Sequence, residues 1–395
     1  MAKILIITAR FLEHASGGAE KLAYDYASIL SESNEVTVCT STAKDYVSWK
    51  NELPKGENKE NSIRILRFPT TKTRNINKMN HLLNQCLEKG ESVSEKEQYE
   101  FLKEQGPYCP DLVEYVSKEQ NSYDLAILIG YLYYPVVASI PNLKIPFVVV
   151  PTFHDEPPFR LPMYRKTYLN NFFYSFNAPE EMAVYETYTK QKVNSYFLIG
   201  TYINDHLVHL DPKLPNTNEN PNSNQLITIG RIEPAKGYPE LFQYFQNWKL
   251  YSHRTDVTIK SLGSVASMEV PTDPFIRFTG FVSEEDKISE IQKSFLLLNP
   301  SAFESFSISI MEAWIQEKTV LVNAKSTVMR GHCLRSQGGL FYSDSLSFQR
   351  TLDFLLENRE ISKRLGKNGR EYVLANFSKE VIRKKLNQMV SILLD

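Results

Sequence analysis

The chain is poor in cysteine, with four in 395 residues: Cys39, Cys86, Cys109 and Cys333. They lie far apart and form no C-x-x-C pair, which argues against a zinc site or a disulfide framework and for a reducing compartment. Neither sign of charge is in excess. Lys and Arg number 45 against 46 Asp and Glu, a net charge of −1, so nothing draws the molecule as a whole toward nucleic acid. Long apolar runs are missing too. The most apolar stretch, Leu125 to Val150, is broken by Pro135, Pro141, Lys144 and Pro146 and reads as strand, short helix and strand rather than a membrane span. The run Ile4-Leu5-Ile6-Ile7 is too brief for a secretory segment and suits a buried first strand. The expectation is a cytoplasmic chain with membrane contact no closer than peripheral. D-x-D, G-x-x-x-x-G-K-[ST] and G-x-G-x-x-G are all absent, so metal-held phosphates, ATP hydrolysis and dinucleotide binding lose support.

What is present is an ordinary globular composition, 42% hydrophobic and 23% charged, at a length that predicts two or three domains. Strand-like runs alternate with helical patterns, the signature of an α/β chain whose parallel sheets are covered by helices. In the first half the strands are expected at Ile4-Ile7, Glu35-Cys39, Ile63-Phe68, Leu125-Ile129 and Phe147-Val150, with a first helix from Ala19 to Leu30. Between Lys72 and Val116 the pattern is helical and densely charged, with a break at Gly106-Pro107-Tyr108-Cys109-Pro110. A polar segment, Asp211 to Asn224, separates two differently patterned halves. Beyond it strands are expected at Leu226-Ile229, Val257-Leu262, Ile276-Thr279, Phe295-Leu298, Val320-Asn323 and Leu340-Phe341, and a helix from Ala375 to Leu394. The predicted domains are 1–205, with a helical insert at about 72–116, then 206–378, then a terminal helix over 379–395.

Two charged clusters in the second half carry the chemistry. Gly230-Arg231 and Lys236-Gly237 stand where the strand Leu226-Ile229 runs into a loop, which is where open α/β sheets present their ligands. Arg231 offers a planar fork and Lys236 a compact charge, a combination suited to a diphosphate. Cations after a strand are more often merely solvated, but the flanking glycines favour the phosphate reading. The second cluster, Pro300-Ser301-Ala302-Phe303-Glu304-Ser305-Phe306-Ser307, leads into a helix carrying Glu312. Glu304 either complements the helix dipole, with Ser305 or Ser307 as the cap, or meets sugar hydroxyls beside an anion held by the amides of Ser305, Phe306 and Ser307; both can hold. Glu312, followed by Ala313 and Trp314, is an expensive burial unless it accepts hydrogen bonds. Together the clusters read as a nucleotide-sugar site.

These residues resemble glycosyltransferase family 4, the retaining enzymes of the GT-B fold, in which two Rossmann-like domains face a cleft. The resemblance rests on Gly230-Arg231 with Lys236-Gly237, the E-x7-E pair Glu304 and Glu312, Glu312-Ala313 and Gly338-Gly339-Leu340. Phe278-Thr279-Gly280-Phe281-Val282 stands where the family borders its base pocket, Gly17-Gly18-Ala19-Glu20 resembles its glycine-rich loop, and His154-Asp155 resembles a histidine after a late strand. The resemblance implies donor contacts from Gly17, Gly18, Gly230, Arg231, Lys236, Phe281, Val282, Glu304, Ser305, Phe306, Ser307 and Glu312, the last through ribose hydroxyls. It implies catalytic roles for His154, Arg231, Lys236 and Glu304, with His154 orienting the transferred sugar rather than acting as a general base. On residues alone, a histidine beside a carboxylate is more often a structural pair.

The activity so implied is transfer, with retention, of a sugar from a nucleoside-diphosphate sugar to a glycan or lipid-linked acceptor, in building cell-surface polysaccharide. No cofactor and no metal are expected, and the C-terminal helix is expected to cross back onto the first domain. The chain departs from the family pattern in having Ser305 and Ser307 where Glu-Gly-Phe-Gly is usual, Glu317 and Thr319 where Gly and Pro are usual, and Lys379 for a tryptophan. For the acceptor side, Arg64, Arg67, Lys72, Arg74 and Lys78 suggest a basic surface for anionic headgroups, against a solvated face balanced by nearby glutamates. Tyr131-Leu132-Tyr133-Tyr134 either borders an acceptor or is core. Two other readings stay open: a GT-B nucleotide-sugar epimerase, and a catalytically silent subunit that binds a glycan or a partner transferase.

Overall fold

The computed structural model describes residues 1–13, 17–169, 172–203 and 224–395. The polar segment from Asp211 onward, taken from the sequence as the start of the second domain, lies almost entirely outside the described residues. Two compact units form: Met1–Thr201 together with Ile382–Asp395, and Tyr202–Val381.

The first unit is built on a sheet of eight strands in the order β3-β4-β2-β1-β5-β6-β7-β8. Its strands are β1 (Lys3–Thr8), β2 (Glu35–Ser41), β3 (Gly56–Glu60), β4 (Ile63–Phe68), β5 (Leu125–Ile129), β6 (Phe147–Val150), β7 (Phe173–Phe176) and β8 (Tyr196–Leu198). The central strands are buried on both faces, as continuous runs such as Ile4-Leu5-Ile6-Ile7 require. Three strands were not expected from the sequence, β3, β7 and β8, and β3 is the antiparallel member of an otherwise parallel sheet. It pairs antiparallel with β4. Its residues, Gly56-Glu57-Asn58-Lys59-Glu60, are largely exposed and charged, as suits an edge that must resist further pairing.

The insert folds as the helices Ile76–Lys89, Glu95–Gln105 and Pro110–Glu119. Asn75 caps the first, Ser94 and Glu97 form a capping box on the second, and Pro110 opens the third. Of the tetrad, Tyr131 and Tyr134 are buried in the first unit's core, while Leu132 and Tyr133 are half-buried.

The second unit holds a six-stranded, wholly parallel sheet in the order β11-β10-β9-β12-β13-β14. These strands are β9 (Gln225–Ile229), β10 (Thr258–Leu262), β11 (Ile276–Gly280), β12 (Leu296–Asn299), β13 (Thr319–Asn323) and β14 (Gly339–Tyr342). Gly338 and Gly339 serve packing: a Cβ on Gly338 would lie 2.7 Å from Gly369 Cα, and one on Gly339 2.6 Å from the Val320 carbonyl oxygen. The helix expected from Ala375 is two, Arg359–Phe377 and Lys379–Leu394, broken at Ser378.

Candidate functional site

The second sheet changes its direction of growth between β9 and β12. From β9 the chain adds β10 and β11 on one side, then β12, β13 and β14 on the other. Open α/β sheets bind ligands outside the C-terminal strand ends at such a switch point. The loop leaving β9 carries Gly230, Arg231 and Lys236, and the loop leaving β12 carries Glu304 to Ser307, so the two charged clusters flank it.

Glycine lets these loops meet. Gly237 has φ 76° and a Cβ there would lie 2.4 Å from the Pro300 carbonyl oxygen, so any side chain would force the loops apart. Gly263, after β10, approaches still more closely, its Cβ position 1.9 Å from the Gly230 carbonyl oxygen. The sequence reading passed over Gly263, whose only signal was a lone glycine at the end of a strand.

Across this junction Lys236 Nζ lies 2.9 Å from Glu304 Oε1, the side chains 31% and 18% exposed. Arg231 is 3.4 Å from Glu233. The loop after β12 is fixed by two asparagines at strand ends that sequence reasoning missed. Asn299 Oδ1 accepts the Ser301 amide, its Nδ2 donates to Ser307 Oγ at 3.0 Å, and Asn323 Nδ2 donates to the Pro300 carbonyl at 2.9 Å.

Ser307 adopts the left-handed conformation, φ 66°, at the N-cap of helix Ile308–Ile315. Its side chain makes no cap bond, which corrects the expectation that Ser305 or Ser307 caps this helix: Asn299 draws the hydroxyl away. The helix starts at Ile308, so its unsatisfied amides belong to that residue and those after it. The Phe306 ring is core rather than ligand surface, packed edge-on against Phe377 and His332 at 4.9 and 5.6 Å.

Glu312 is buried on the second turn of that helix and is met by Lys287 Nζ at 2.8 Å. Each glutamate of the E-x7-E pair is thus held by one lysine, from a different element. Beyond β11, Phe281 is 78% exposed and Val282 half-buried, leaving an aromatic face open to a planar ligand.

The remaining sites belong to the first unit. Gly17 precedes helix Gly18–Leu30, and a Cβ on it would collide with the Glu20 carboxylate, which turns back to pair with Arg10. His154 sits half-buried in the loop after β6, next to Phe153, whose amide donates to Glu181 Oε1 at 2.8 Å. Glu181 also accepts the Asn177 amide at 2.6 Å, tying that loop to the segment after β7. Asp155 receives the Tyr188 hydroxyl and lies 3.7 Å from Arg160.

The five cations proposed as a basic surface are each buried or partnered. Arg67 is buried, Arg74 donates to the Tyr46 carbonyl and Gln105, Lys72 and Lys78 share Glu104, and Arg64 pairs with Glu57. Among the described residues no group of three or more His, Cys, Asp or Glu could hold a metal ion, and no helix is long and apolar enough to cross a membrane.

Residues 270–372 match the family model described as glycosyl transferases group 1. That segment spans β11 to β14 and carries Phe281, Glu304 and Glu312. No curated protein sequence matches the chain. Sucrose-phosphate synthase from Thermosynechococcus elongatus superimposes with a TM-score of 0.74 at 16% identity, covering 100% of this chain and 99% of its own. Anabaena HepE in complex with UDP and glucose gives 0.69 at 15%, covering 99% and 100%. A trehalose-6-phosphate structure from E. coli bound with UDP-2-fluoro glucose gives 0.69 at 8%, covering 100% and 99%. The fold is therefore GT-B, two Rossmann-like units, and the stretch that matches the group 1 family model lies in the second.

Proposed function

We propose that the chain is a nucleotide-sugar-dependent glycosyltransferase that works without a metal and retains anomeric configuration. The observation that carries this is the switch point of the second sheet, where Arg231, Lys236 and Glu304 are brought onto adjoining loops. Arg231 and Lys236 stabilise the diphosphate as the sugar leaves, aided by the amides that open helix Ile308–Ile315. Glu304, one oxygen held by Lys236, accepts from sugar hydroxyls with the other, and Glu312 accepts from the ribose. The acceptor hydroxyl attacks an oxocarbenium-like centre from the face the phosphate leaves, passing its proton to the departing phosphate oxygen. His154 and the Gly17-Gly18 turn are assigned to orienting the sugar and to backbone contact with the substrates. UDP is favoured as the nucleotide because two of the similar structures hold UDP or a UDP-sugar derivative. The acceptor is a glycan or a lipid-linked glycan hydroxyl.

The test is a thermal-shift screen of UDP, GDP, ADP and their sugar conjugates with EDTA present, on the parent chain and on Lys236→Ala. A stabilisation by the UDP series that disappears in Lys236→Ala is expected. At a hundredfold excess over Kd, a ligand specific for the native state adds about 2.7 kcal/mol. Silence with every diphosphate would favour the silent-subunit reading instead, and a shift that appears only when a divalent ion replaces EDTA would remove the claim of metal independence.

A further inference from the structure

Lys287 is costly to place where it is. Its side chain is 14% exposed, and it reaches from helix Glu284–Lys293 to Glu312 Oε1 at 2.8 Å, the Glu312 side chain being 8% exposed, and to the more exposed Glu284 at 2.8 Å. A buried ion pair of this kind seldom gains stability over an apolar pair of the same volume, so packing alone does not account for it. Burial presses the ammonium toward its neutral form, but attraction to Glu312 and hydrogen bonds to Glu284 and Glu312 outweigh it, and the Lys287 pKa stands above the ordinary lysine value. The lysine stays charged, and at 2.8 Å it holds one oxygen of the Glu312 carboxylate in place.

The helix that carries Lys287 is capped by Ser283, the residue after Phe281 and Val282, whose Oγ accepts the Asp286 amide at 3.1 Å. The segment with the exposed aromatic face therefore runs directly into the helix that carries the clamp on Glu312. Lys287 occupies Oε1 of Glu312 and leaves Oε2 for another donor.

We propose that Lys287 is a positioning residue for the nucleotide: it fixes Glu312 through Oε1 and so presents Oε2 as an acceptor that selects a ribose over a deoxyribose. This deepens the donor reading above and rests on it. A carboxylate already held in place accepts a ribose hydroxyl without first having to be ordered, so loss of Lys287 weakens discrimination at the ribose more than it weakens diphosphate contact.

The experiment measures Kd by calorimetry for UDP, GDP and ADP, each beside its 2′-deoxy and 3′-deoxy forms, on the parent, Lys287→Met, Lys287→Gln and Lys287→Arg. Circular dichroism checks that each variant is folded, and Lys287→Gln keeps a polar head in case Lys287→Met does not fold. The parent is expected to prefer at least one ribo form by about tenfold or more. The preference should fall to within about twofold in Lys287→Met and Lys287→Gln and be retained in Lys287→Arg. If the neutral variants lose thermal stability yet keep the parent's ribo preference, Lys287 is only structural and the proposal fails. If the parent binds no diphosphate, the donor reading falls and takes this inference with it, so the two failures are told apart by the parent alone.

Discussion

Glu317 and Ser307 stand in a conformation that glycine would occupy at lower cost. Helix Ile308–Ile315 ends in a Schellman arrangement, with the Lys318 amide on the Ala313 carbonyl and the Glu317 amide on that of Trp314, at 2.9 Å each. The residue between is Glu317, at φ 54°. An L side chain there is strained, so Glu317→Gly is expected to stabilise the second unit by ~1 kcal/mol, seen as a raised urea midpoint with unchanged slope. Ser307, at φ 66°, carries the same strain but its hydroxyl also accepts from Asn299, so a glycine there relieves one term and removes another. Gly237 is the opposite case. Gly237→Ala meets both the left-handed φ and the Pro300 carbonyl, and should cost ~2 kcal/mol or more in urea unfolding while weakening diphosphate binding. Retained binding with native stability would show that the two loops do not need their close approach.

Helix Thr327–Ser336 contributes little to the chemistry directly but seats the loop that does. His332 on it is fully buried between Phe306, Tyr372 and Phe377, with Nδ1 2.9 Å from the Tyr372 hydroxyl. Burial, helped by the nearby Arg335 guanidinium, lowers its pKa to about 3 from the usual 6.5. The native state holds it neutral while the unfolded chain takes up a proton, so stability is full above about pH 6.5 and falls as pH drops toward 3. The slope from this one group is at most ~1.4 kcal/mol per pH unit. Unfolding of His332→Phe in urea at pH 7 and pH 5 should show a smaller acid loss than the parent; equal losses would mean the acid sensitivity lies elsewhere. Elements like this one show what the sequence could disclose. Leu125–Ile129 and Phe147–Val150 were legible to the residue because their apolar runs are uninterrupted, and Ile63–Phe68 because its apolar residues dominate a short run broken only by Arg64 and Arg67. β7 was missed because Ser175 interrupts its short aromatic run, β8 because three residues are too few to show a period, and β3 because a charged edge strand carries no apolar signal. In the site, glycines and cations after strands could be read locally. The Lys287–Glu312 pair could not, since its members sit 25 positions apart on two helices and meet only through packing.

The chain's last helix bears on how the first unit holds together. From Ile382 onward it belongs to that unit, far from the rest of it in sequence. Ile382, Leu386, Met389, Val390 and Leu393 form its buried stripe at helical spacing. Arg383 pairs with Glu32 at 2.8 Å, and Lys385 Nζ reaches the Ile199 carbonyl at 3.5 Å. Burying a side chain of this size is worth roughly 1.5–3 kcal/mol, an upper estimate because the unfolded chain already hides some of it. Five of them together rival the ~5–15 kcal/mol that holds a whole domain folded. The ion pair with Glu32 is half-exposed and adds little beside that. A chain ending at Ser378 should therefore lose the cooperative unfolding of its first unit while the second, whose sheet and core are complete without that helix, keeps its own transition. Limited proteolysis would then cut within Met1–Thr201 and spare the second sheet, and a synthetic 379–395 peptide added in excess should restore protection. A truncated chain that unfolds with the parent's midpoint in both transitions would show that the helix only rests on a unit already complete.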